Sequence, residues 1–183
     1  MANKVLNPLN NQQPILAFGD SLTFGFGAEP NQSYPFILSQ LINRTVINAG
    51  LNGELSEHGL LRLESVLDEH NPQLLILCHG ANDILQNLCL DRMANNLNNM
   101  IELAHKKDIQ VVLIEVPDVN HQLNPITQYK QLAEQHQILL VDKLLAELLH
   151  HPNLHDDIVH PNVLGYHLIA KSLAKTLLEN GAL

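Results

Sequence analysis

The segment PILAFGDSLTFG, residues 14–25, contains the pattern that predicts the fold. It begins with five apolar residues, as expected for a short strand that is covered on both faces. Gly19 then permits a tight turn, and the polar residues Asp20 and Ser21 follow where a helix would begin. A buried strand that turns directly into a helix is typical of parallel α/β proteins. The segment therefore predicts an α/β fold with a parallel sheet.

Further short apolar runs and helical patterns alternate along the chain. We predict strands at residues 14–18, 45–49, 74–78, 110–116 and 138–141. Between them, apolar residues recur at three- and four-residue intervals, namely Leu60, Leu63, Val66 and Leu67, then Leu90, Met93, Leu97, Met100, Ile101 and Ala104. A last helix should follow Asn162 as its N-cap. This alternation predicts a doubly wound sheet, in which ligands bind beyond the carboxyl ends of the strands.

Length and charge limit the possible functions. The chain has 183 residues, 45% of them hydrophobic, which favours one domain with a sizeable core. Its formal net charge is −9 and no basic stripe is present, so we expect no nucleic-acid partner. Apolar runs such as 74–78 are far shorter than the roughly 20 residues that cross a bilayer, so we expect no stable membrane insertion. A small, neutral or weakly polar substrate fits better.

The N-terminal residues lack an apolar run behind a basic start, which a secretory signal requires. If Met1 is the native start, we expect a cytoplasmic protein; if a signal peptide has been removed, a periplasmic or secreted one. Cys78 and Cys89 form neither a disulfide framework nor a metal-binding spacing. We expect one buried thiol and one incidental thiol.

Ser21 is a candidate nucleophile. At the start of a helix its hydroxyl would lie beside backbone N–H groups able to stabilise an oxyanion. An ordinary N-cap is the alternative interpretation of Asp20 and Ser21. The segment has no Gly-Lys-Ser/Thr ending, no third glycine after 25–27 and no G-x-S-x-G motif, so it matches neither nucleotide-binding loops nor the common α/β-hydrolase elbow.

Three more polar segments lie at comparable places. NAGLNGE (48–54) and HGAND (79–83) each follow a predicted strand, and a glycine N–H or the Asn82 amide there can donate to an oxyanion. These glycines also suit simple turns. Asp157 and His160 precede the last helix, three residues apart, so the carboxylate can accept from imidazole Nδ1–H and leave Nε2 as a base. A capping or surface pair would be the structural alternative.

Together the blocks FGDSLT (18–23), NAGLNG (48–53), GAND (80–83) and DIVHP (157–161) resemble those of the SGNH/GDSL hydrolase family. The similarity is greatest to its small bacterial thioesterase, lysophospholipase and arylesterase branch, and it spans about residues 14–180. Ala81 and the short loop 116–121 depart from the pattern of that branch.

The resemblance implies a single domain over residues 1–183, folded as a three-layer α/β/α sandwich around a mostly parallel five-stranded sheet, the flavodoxin-like SGNH hydrolase fold. It implies a serine esterase without cofactor or metal, acting on esters or thioesters of short-to-medium acyl chains. The implied catalytic residues are Ser21, Asp157 and His160. The implied oxyanion hole consists of Ser21, Asn82 and Gly53, rather than Gly50.

Substrate contacts and some alternatives stay open. We expect Phe24, Pro117 and Asp118 to contact substrate, although the phenylalanines 24 and 26 could equally pack in the core. The same constellation suits a carbohydrate O-acetyl esterase. A non-catalytic binding module and a metal-binding protein are alternatives of other classes. The metal site would use the histidines and carboxylates that precede the last helix, namely His150, His151, His155, Asp156, Asp157 and His160. We expect His79 to be a strand-end residue rather than a second base.

Overall fold

Five short strands form one parallel sheet in the computed structural model, which describes residues 6–10 and 12–183. In chain order they are β1 (Ile15–Gly19), β2 (Val46–Gly50), β3 (Leu74–Cys78), β4 (Gln110–Ile114) and β5 (Leu139–Val141). Their spatial order is β2-β1-β3-β4-β5, which is the flavodoxin-like doubly wound order. Every strand pair is parallel, so the predicted fold class is confirmed.

Helices connect and cover the strands. They are α1 (Ser21–Phe24), α2 (Tyr34–Ile42), α3 (Ser56–His70), α4 (Ala81–Leu85), α5 (Leu90–Lys106), α6 (Thr127–His136), α7 (Leu144–Leu149) and α8 (Val163–Glu179). Helix α2 packs against α8, whereas α3 packs against α5 and α5 against α6. Because the connections of parallel strands are right-handed, the reversal of strand order after β2 sends α2 and α3 to opposite faces. The result is three layers.

Burial follows the position of each strand in the sheet. The inner strands β1 and β3 are buried at every residue. The edge strands β2 and β5 are partly exposed, although their apolar runs resemble those of the inner strands. An edge strand has a neighbour on one side only, and the helices cover it less completely.

The bounds of the elements also differ from the sequence predictions. The strand predicted at 110–116 ends at Ile114, where the Glu115 carboxylate turns to accept hydrogen bonds from the N–H groups of Ile126 (3.2 Å) and Lys143 (3.4 Å). Helix α2 was not predicted, and Pro35 is its second residue. A proline is nevertheless tolerated in the first turn, where its missing N–H has no helical partner.

Gly19 is required by the close approach of β1 and β3. A Cβ at this position would lie 1.8 Å from the carbonyl oxygen of Cys78. Cys78 is buried and Cys89 is exposed, as expected. Met1, on which the expectation about the cellular compartment rests, lies outside the described residues. Along residues 6–10 and 12–183, no helix has the length and apolar character that crossing a membrane needs.

Candidate active site

The polar residues singled out above meet at the carboxyl ends of the strands. Ser21 is the first residue of α1, directly after β1 and the capping residue Asp20. Gly53 lies in the loop after β2, and Asn82 lies in the first turn of α4 after β3. His160 comes from the loop that precedes α8. The doubly wound topology thus brings residues that are distant in sequence to one rim.

Ser21, His160 and Asp157 form a continuous hydrogen-bonded chain. The Ser21 Oγ lies 3.0 Å from His160 Nε2, and His160 Nδ1 lies 2.7 Å from Asp157 Oδ2. Because a carboxylate only accepts hydrogen bonds, Nδ1 carries the proton and Nε2 is left to accept from the serine hydroxyl. The arrangement can transfer the serine proton to the imidazole, as in serine hydrolases of several folds.

The Asp157 carboxylate is held by its own loop. Its Oδ1 accepts hydrogen bonds from the backbone N–H groups of Val159 and His160, both at 2.8 Å. Partial burial works to raise the pKa of this carboxyl, but the hydrogen bonds from His160 and the two backbone groups outweigh it and hold the pKa below the ordinary value. The group is therefore charged when it faces the imidazole at neutral pH.

The candidate oxyanion donors lie on the two loops beside Ser21. The Asn82 amide Nδ2 donates to the backbone carbonyl of Glu54 at 3.0 Å, and this bond orients the amide plane. Gly53 has φ +73°, the left-handed region that favours glycine, and no atom lies within 4 Å of where its Cβ would be. The conformation, rather than lack of space, accounts for this glycine.

Asp20 joins the helices that carry Ser21 and Asn82. Its side chain is completely buried and accepts hydrogen bonds from the N–H groups of Leu22 and Ala81, both at 3.1 Å. Burial is the dominant influence and raises the pKa of this carboxyl. Helices α1 and α4 are therefore tied together at their N-termini by one side chain.

The predicted substrate residues lie on different sides of the triad. Phe24 and Phe26 are each 45% exposed, so the expectation that they could pack in the core was wrong. The Phe26 ring packs on the His160 imidazole, with centroids 4.5 Å apart. Phe24 lines an apolar groove of about 350 Å³ beside β2, together with Phe36.

Pro117 and Asp118 lie in the loop after β4. Pro117 is buried, and Asp118 binds within its own loop through the Asn120 N–H at 3.0 Å and His121 Nδ1 at 2.9 Å. The same loop reaches α4 through Asn120, whose amide donates to the carbonyl of Ile84 at 2.6 Å. The loop is thus fastened to the helix that carries Asn82, and its contact with substrate stays a prediction.

Three of the four histidines considered for metal binding have other partners, and His160 is one of them through Asp157. His155 Nδ1 bonds the carbonyl of Asp157 at 2.7 Å, and His150 Nδ1 bonds the carbonyl of Ala146 at 2.6 Å. Within residues 6–10 and 12–183, no group of three or more His, Cys, Asp or Glu side chains is arranged to hold a metal ion.

Sequence reasoning missed the buried polar residues behind the rim. His79 and Glu54 are buried and hydrogen-bonded to each other at 3.1 Å, and Arg62 binds the same carboxylate. The signal available in the sequence was weak. Arg62 stands between two leucines of a helix, and Glu54 follows a glycine, which are patterns common to solvated residues.

Comparisons with known proteins identify the family of the chain. The model of the GDSL-like Lipase/Acylhydrolase family matches residues 17–168. An arylesterase of Vibrio mimicus is 29% identical over 179 residues, covering 92% of this chain and 90% of the relative. Thioesterase 1/protease 1/lysophospholipase L1 of Escherichia coli K12 is 25% identical over 171 residues, covering 89% and 82%.

Solved structures share the fold. The crystal structure of TesA superposes with a TM-score of 0.83 at 23% identity, covering 92% of this chain and 99% of that one. AlinE4, described as an SGNH-hydrolase family esterase, gives a TM-score of 0.72 at 28% identity, covering 93% and 97%. The family match extends over most of the chain and includes the loops that carry Ser21 and Asn82. The chain therefore belongs to the GDSL-like lipase/acylhydrolase family and is a serine hydrolase that acts on ester bonds.

Proposed function

We propose that this protein hydrolyses carboxylic esters or thioesters of short-to-medium acyl chains through an acyl-enzyme formed on Ser21. The observation that carries the proposal is the hydrogen-bonded chain from Ser21 Oγ to His160 Nε2 (3.0 Å) and from His160 Nδ1 to Asp157 (2.7 Å). This geometry supplies a nucleophile, a base and an orienting carboxylate in one line.

The first step forms the acyl-enzyme. His160 Nε2 takes the Ser21 proton as Oγ bonds to the substrate carbonyl carbon, and the carbonyl electrons move to its oxygen. The N–H groups of Ser21 and Gly53 and the Asn82 amide donate to that oxyanion. When the tetrahedral intermediate collapses, the bond to the alcohol or thiol breaks and His160 returns the proton to the leaving group.

The second step releases the acid. Water gives a proton to His160 Nε2 and attacks the acyl carbon, which forms a second tetrahedral oxyanion in the same place. Collapse breaks the bond to Ser21 Oγ, which regains the proton. Asp157 stabilises the imidazolium in both steps without taking the proton itself. No cofactor is needed for this sequence of proton transfers.

The substrate class is supported by the relatives and by the surface around Ser21. The Vibrio mimicus relative is named an arylesterase, and the E. coli relative a thioesterase and lysophospholipase. The exposed ring of Phe26 offers apolar contact against His160, and the exposed ring of Phe24 lines the apolar groove beside β2. A chain of net charge −9 favours a neutral acyl ester over a highly anionic substrate.

Active-site labelling tests the proposal. A fluorophosphonate probe should label the wild type at one site and leave Ser21→Ala unlabelled, since it reacts only with an activated serine. Exposed Ser65→Ala, on helix α3, is the matched control and should label fully. Labelling that persists in Ser21→Ala would contradict the assignment of the nucleophile.

A substrate panel tests the acyl preference. We expect p-nitrophenyl acetate to octanoate and the matching acyl-CoAs to be hydrolysed, with less activity on very long chains and on acetylated xylo-oligosaccharides. Activity that rises steadily toward the longest chains would contradict the proposed range. Preference for the acetylated sugars would identify a carbohydrate O-acetyl esterase instead.

A further inference from the structure

A partly buried ion pair lies directly behind the candidate oxyanion hole. The Glu54 carboxylate follows Gly53 in the chain and accepts two hydrogen bonds from the Arg62 guanidinium, from Nε at 2.6 Å and from Nη2 at 2.7 Å. Paired bonds of this kind fix both distance and orientation, because guanidinium and carboxylate are planar. The Glu54 side chain is therefore held rigidly although it lies in a loop.

His79 binds the same carboxylate from the other side. Its Nδ1 accepts the N–H of Gly80 at 3.0 Å, so the ring proton is on Nε2, which donates to Glu54 at 3.1 Å. His79 and Gly80 connect β3 to α4, and Asn82 lies in the first turn of that helix. Glu54 is thereby coupled to the segment that carries the Asn82 amide.

Arg62 connects Glu54 to the two strands on the other side of the site. Its Nη2 donates to the carbonyl of Ala49 in β2 at 2.8 Å. Its guanidinium stacks over the ring of Phe18 in β1, 4.0 Å from the ring centroid. One side chain from α3 therefore touches the ends of both strands that lead to Ser21 and Gly53.

The backbone of Glu54 completes the connection. Its carbonyl accepts from Asn82 Nδ2 at 3.0 Å, which uses one amide hydrogen and sets the direction of the other. Gly53 itself has no side chain to anchor the loop, and nothing packs within 4 Å of its Cβ position. The position of the Gly53 N–H thus depends on the anchoring of Glu54.

We propose that Glu54, Arg62 and His79, which we name the Glu54 clamp, are positioning residues that hold the Gly53 N–H and the Asn82 amide in the geometry required to bind the oxyanion. The inference rests on the proposed ester hydrolysis. The clamp acts only through Gly53 and Asn82 and makes no bond to substrate.

The expected kinetic signature is a change in kcat rather than in KM. Oxyanion donors act on charge that develops in the transition state, and a displacement of about 1 Å can cost about 100-fold in rate. Binding of the neutral ester does not use that charge, so KM should stay within about twofold.

Arg62→Lys and Glu54→Gln test the clamp. Lysine cannot make the paired bonds, and glutamine presents an amide N–H to the N–H of His79 or to Arg62. We expect kcat for p-nitrophenyl acetate to fall about 10- to 100-fold in each variant, with KM nearly unchanged. Asp68→Asn is the matched control, because Asp68 lies on helix α3 with Arg62 and is exposed. The substitution removes only the ion pair with Lys107, so the variant should keep wild-type kcat.

Unfolded protein must not be mistaken for slow catalysis. Active sites are therefore counted by complete fluorophosphonate labelling, and kcat is expressed per labelled site at a temperature below the unfolding transition of the variant. Either variant suffices for the measurement if the other does not fold.

A double-mutant cycle separates positioning from general stabilisation. In an Asn82→Ala background, Arg62→Lys should lower kcat by a smaller factor than it does in the wild type, because one of the two donors it positions is already gone. An undiminished second loss would overturn the clamp. So would wild-type kcat per labelled site in Arg62→Lys, whereas a wild type that neither labels nor hydrolyses esters would overturn the proposed function itself.

Discussion

At the scale of single residues, the site depends on how one hydrogen bond sets up the next. Asp157 fixes the proton of His160 on Nδ1, and that leaves Nε2 facing the Ser21 hydroxyl. The Phe26 ring packs against the same imidazole. Each group is ordinary in isolation, and its reactivity comes from the orientation imposed by the next.

Asn82→Ala is the most direct test of the oxyanion hole. Loss of one donor should lower kcat by about 10²- to 10³-fold, which corresponds to about 3–4 kcal/mol of transition-state stabilisation. The exposed Asn95→Ala on α5 serves as control and should keep wild-type turnover. Steady-state kinetics and a thermal unfolding scan check the result. If Asn82→Ala kept more than about a third of wild-type kcat, the role assigned to the amide would be wrong.

Asp157→Asn tests the orienting carboxylate. An amide cannot accept all three hydrogen bonds that Asp157 accepts, and it does not stabilise an imidazolium, so kcat should fall by about 10²- to 10⁴-fold. The neighbouring Asp156 is exposed, and Asp156→Asn should keep near wild-type kcat. Comparable losses in the two variants would show that general charge, rather than this contact, supports catalysis.

At the scale of elements, helix α3 serves the core and the site at once. One face places Leu63 and Leu67 in the core, while Arg62 points to the strand ends beside Ser21. The neighbouring Leu61 is exposed to solvent. The helix therefore connects the packed core to the loop that carries Gly53, through the hydrogen bonds between Arg62 and Glu54.

Leu63→Ala and Leu61→Ala separate these surfaces on one helix. Leu63 is 0% exposed, so its truncation leaves a cavity and should lower the free energy of unfolding by about 2–5 kcal/mol. Leu61 is 83% exposed, and its truncation should change that free energy by less than about 0.5 kcal/mol. Urea unfolding followed by circular dichroism gives both values. Equal losses would contradict the assignment of the core-facing side.

The ion pair behind the hole should also appear in the pH dependence of stability. Burial works to raise the pKa of Glu54, but hydrogen bonds from His79 and Arg62 outweigh it and hold the pKa below 4.5. A carboxyl with a lowered folded-state pKa stabilises the fold above its unfolded pKa, and this contribution is lost as the pH falls through the lowered value.

Glu54→Gln removes that titration. The variant should therefore have a lower Tm than the wild type at neutral pH, and the difference should shrink as the pH falls from above 4.5 to well below it. Calorimetry at a series of pH values measures the trend, with the exposed Glu57→Gln at the start of helix α3 as control. A difference in Tm that did not vary with pH would contradict the lowered pKa.

At the scale of the whole molecule, net charge affects the rate at which charged substrates associate with the protein. The chain carries a formal charge of −9, and Asp156 and Asp157 lie next to His160. A polyanionic substrate such as an acyl-CoA is repelled at long range, whereas a p-nitrophenyl ester is not. Repulsion of this kind is screened by salt.

The salt dependence of kcat/KM should therefore differ between the two substrates. Between about 10 and 150 mM ionic strength the screening length falls from about 30 to about 8 Å, so kcat/KM for butyryl-CoA should rise a few-fold. The value for p-nitrophenyl butyrate should stay nearly constant and serves as the internal control. A fall in kcat/KM for the CoA ester with added salt would indicate a basic recognition site instead.

The sequence by itself predicted the parallel α/β architecture, and it also predicted that polar residues lie at the ends of the strands. A buried strand needs a continuous apolar run, and the repeats of three and four residues mark the buried faces of α3, α5 and α8. The blocks around Ser21, Gly53, Asn82 and His160 are local in sequence, so their pattern could be recognised without coordinates.

Only the tertiary structure shows which side chains from different elements contact one another. Glu54, Arg62 and His79 come from a loop, a helix and a strand end, and no local pattern indicates that they contact one another. The same holds for Asp20, whose carboxylate reaches α4, and for Phe26, whose ring meets His160. The physical reason is that helix and strand patterns report burial along one element, whereas a polar network forms between elements and depends on where the topology brings their ends together.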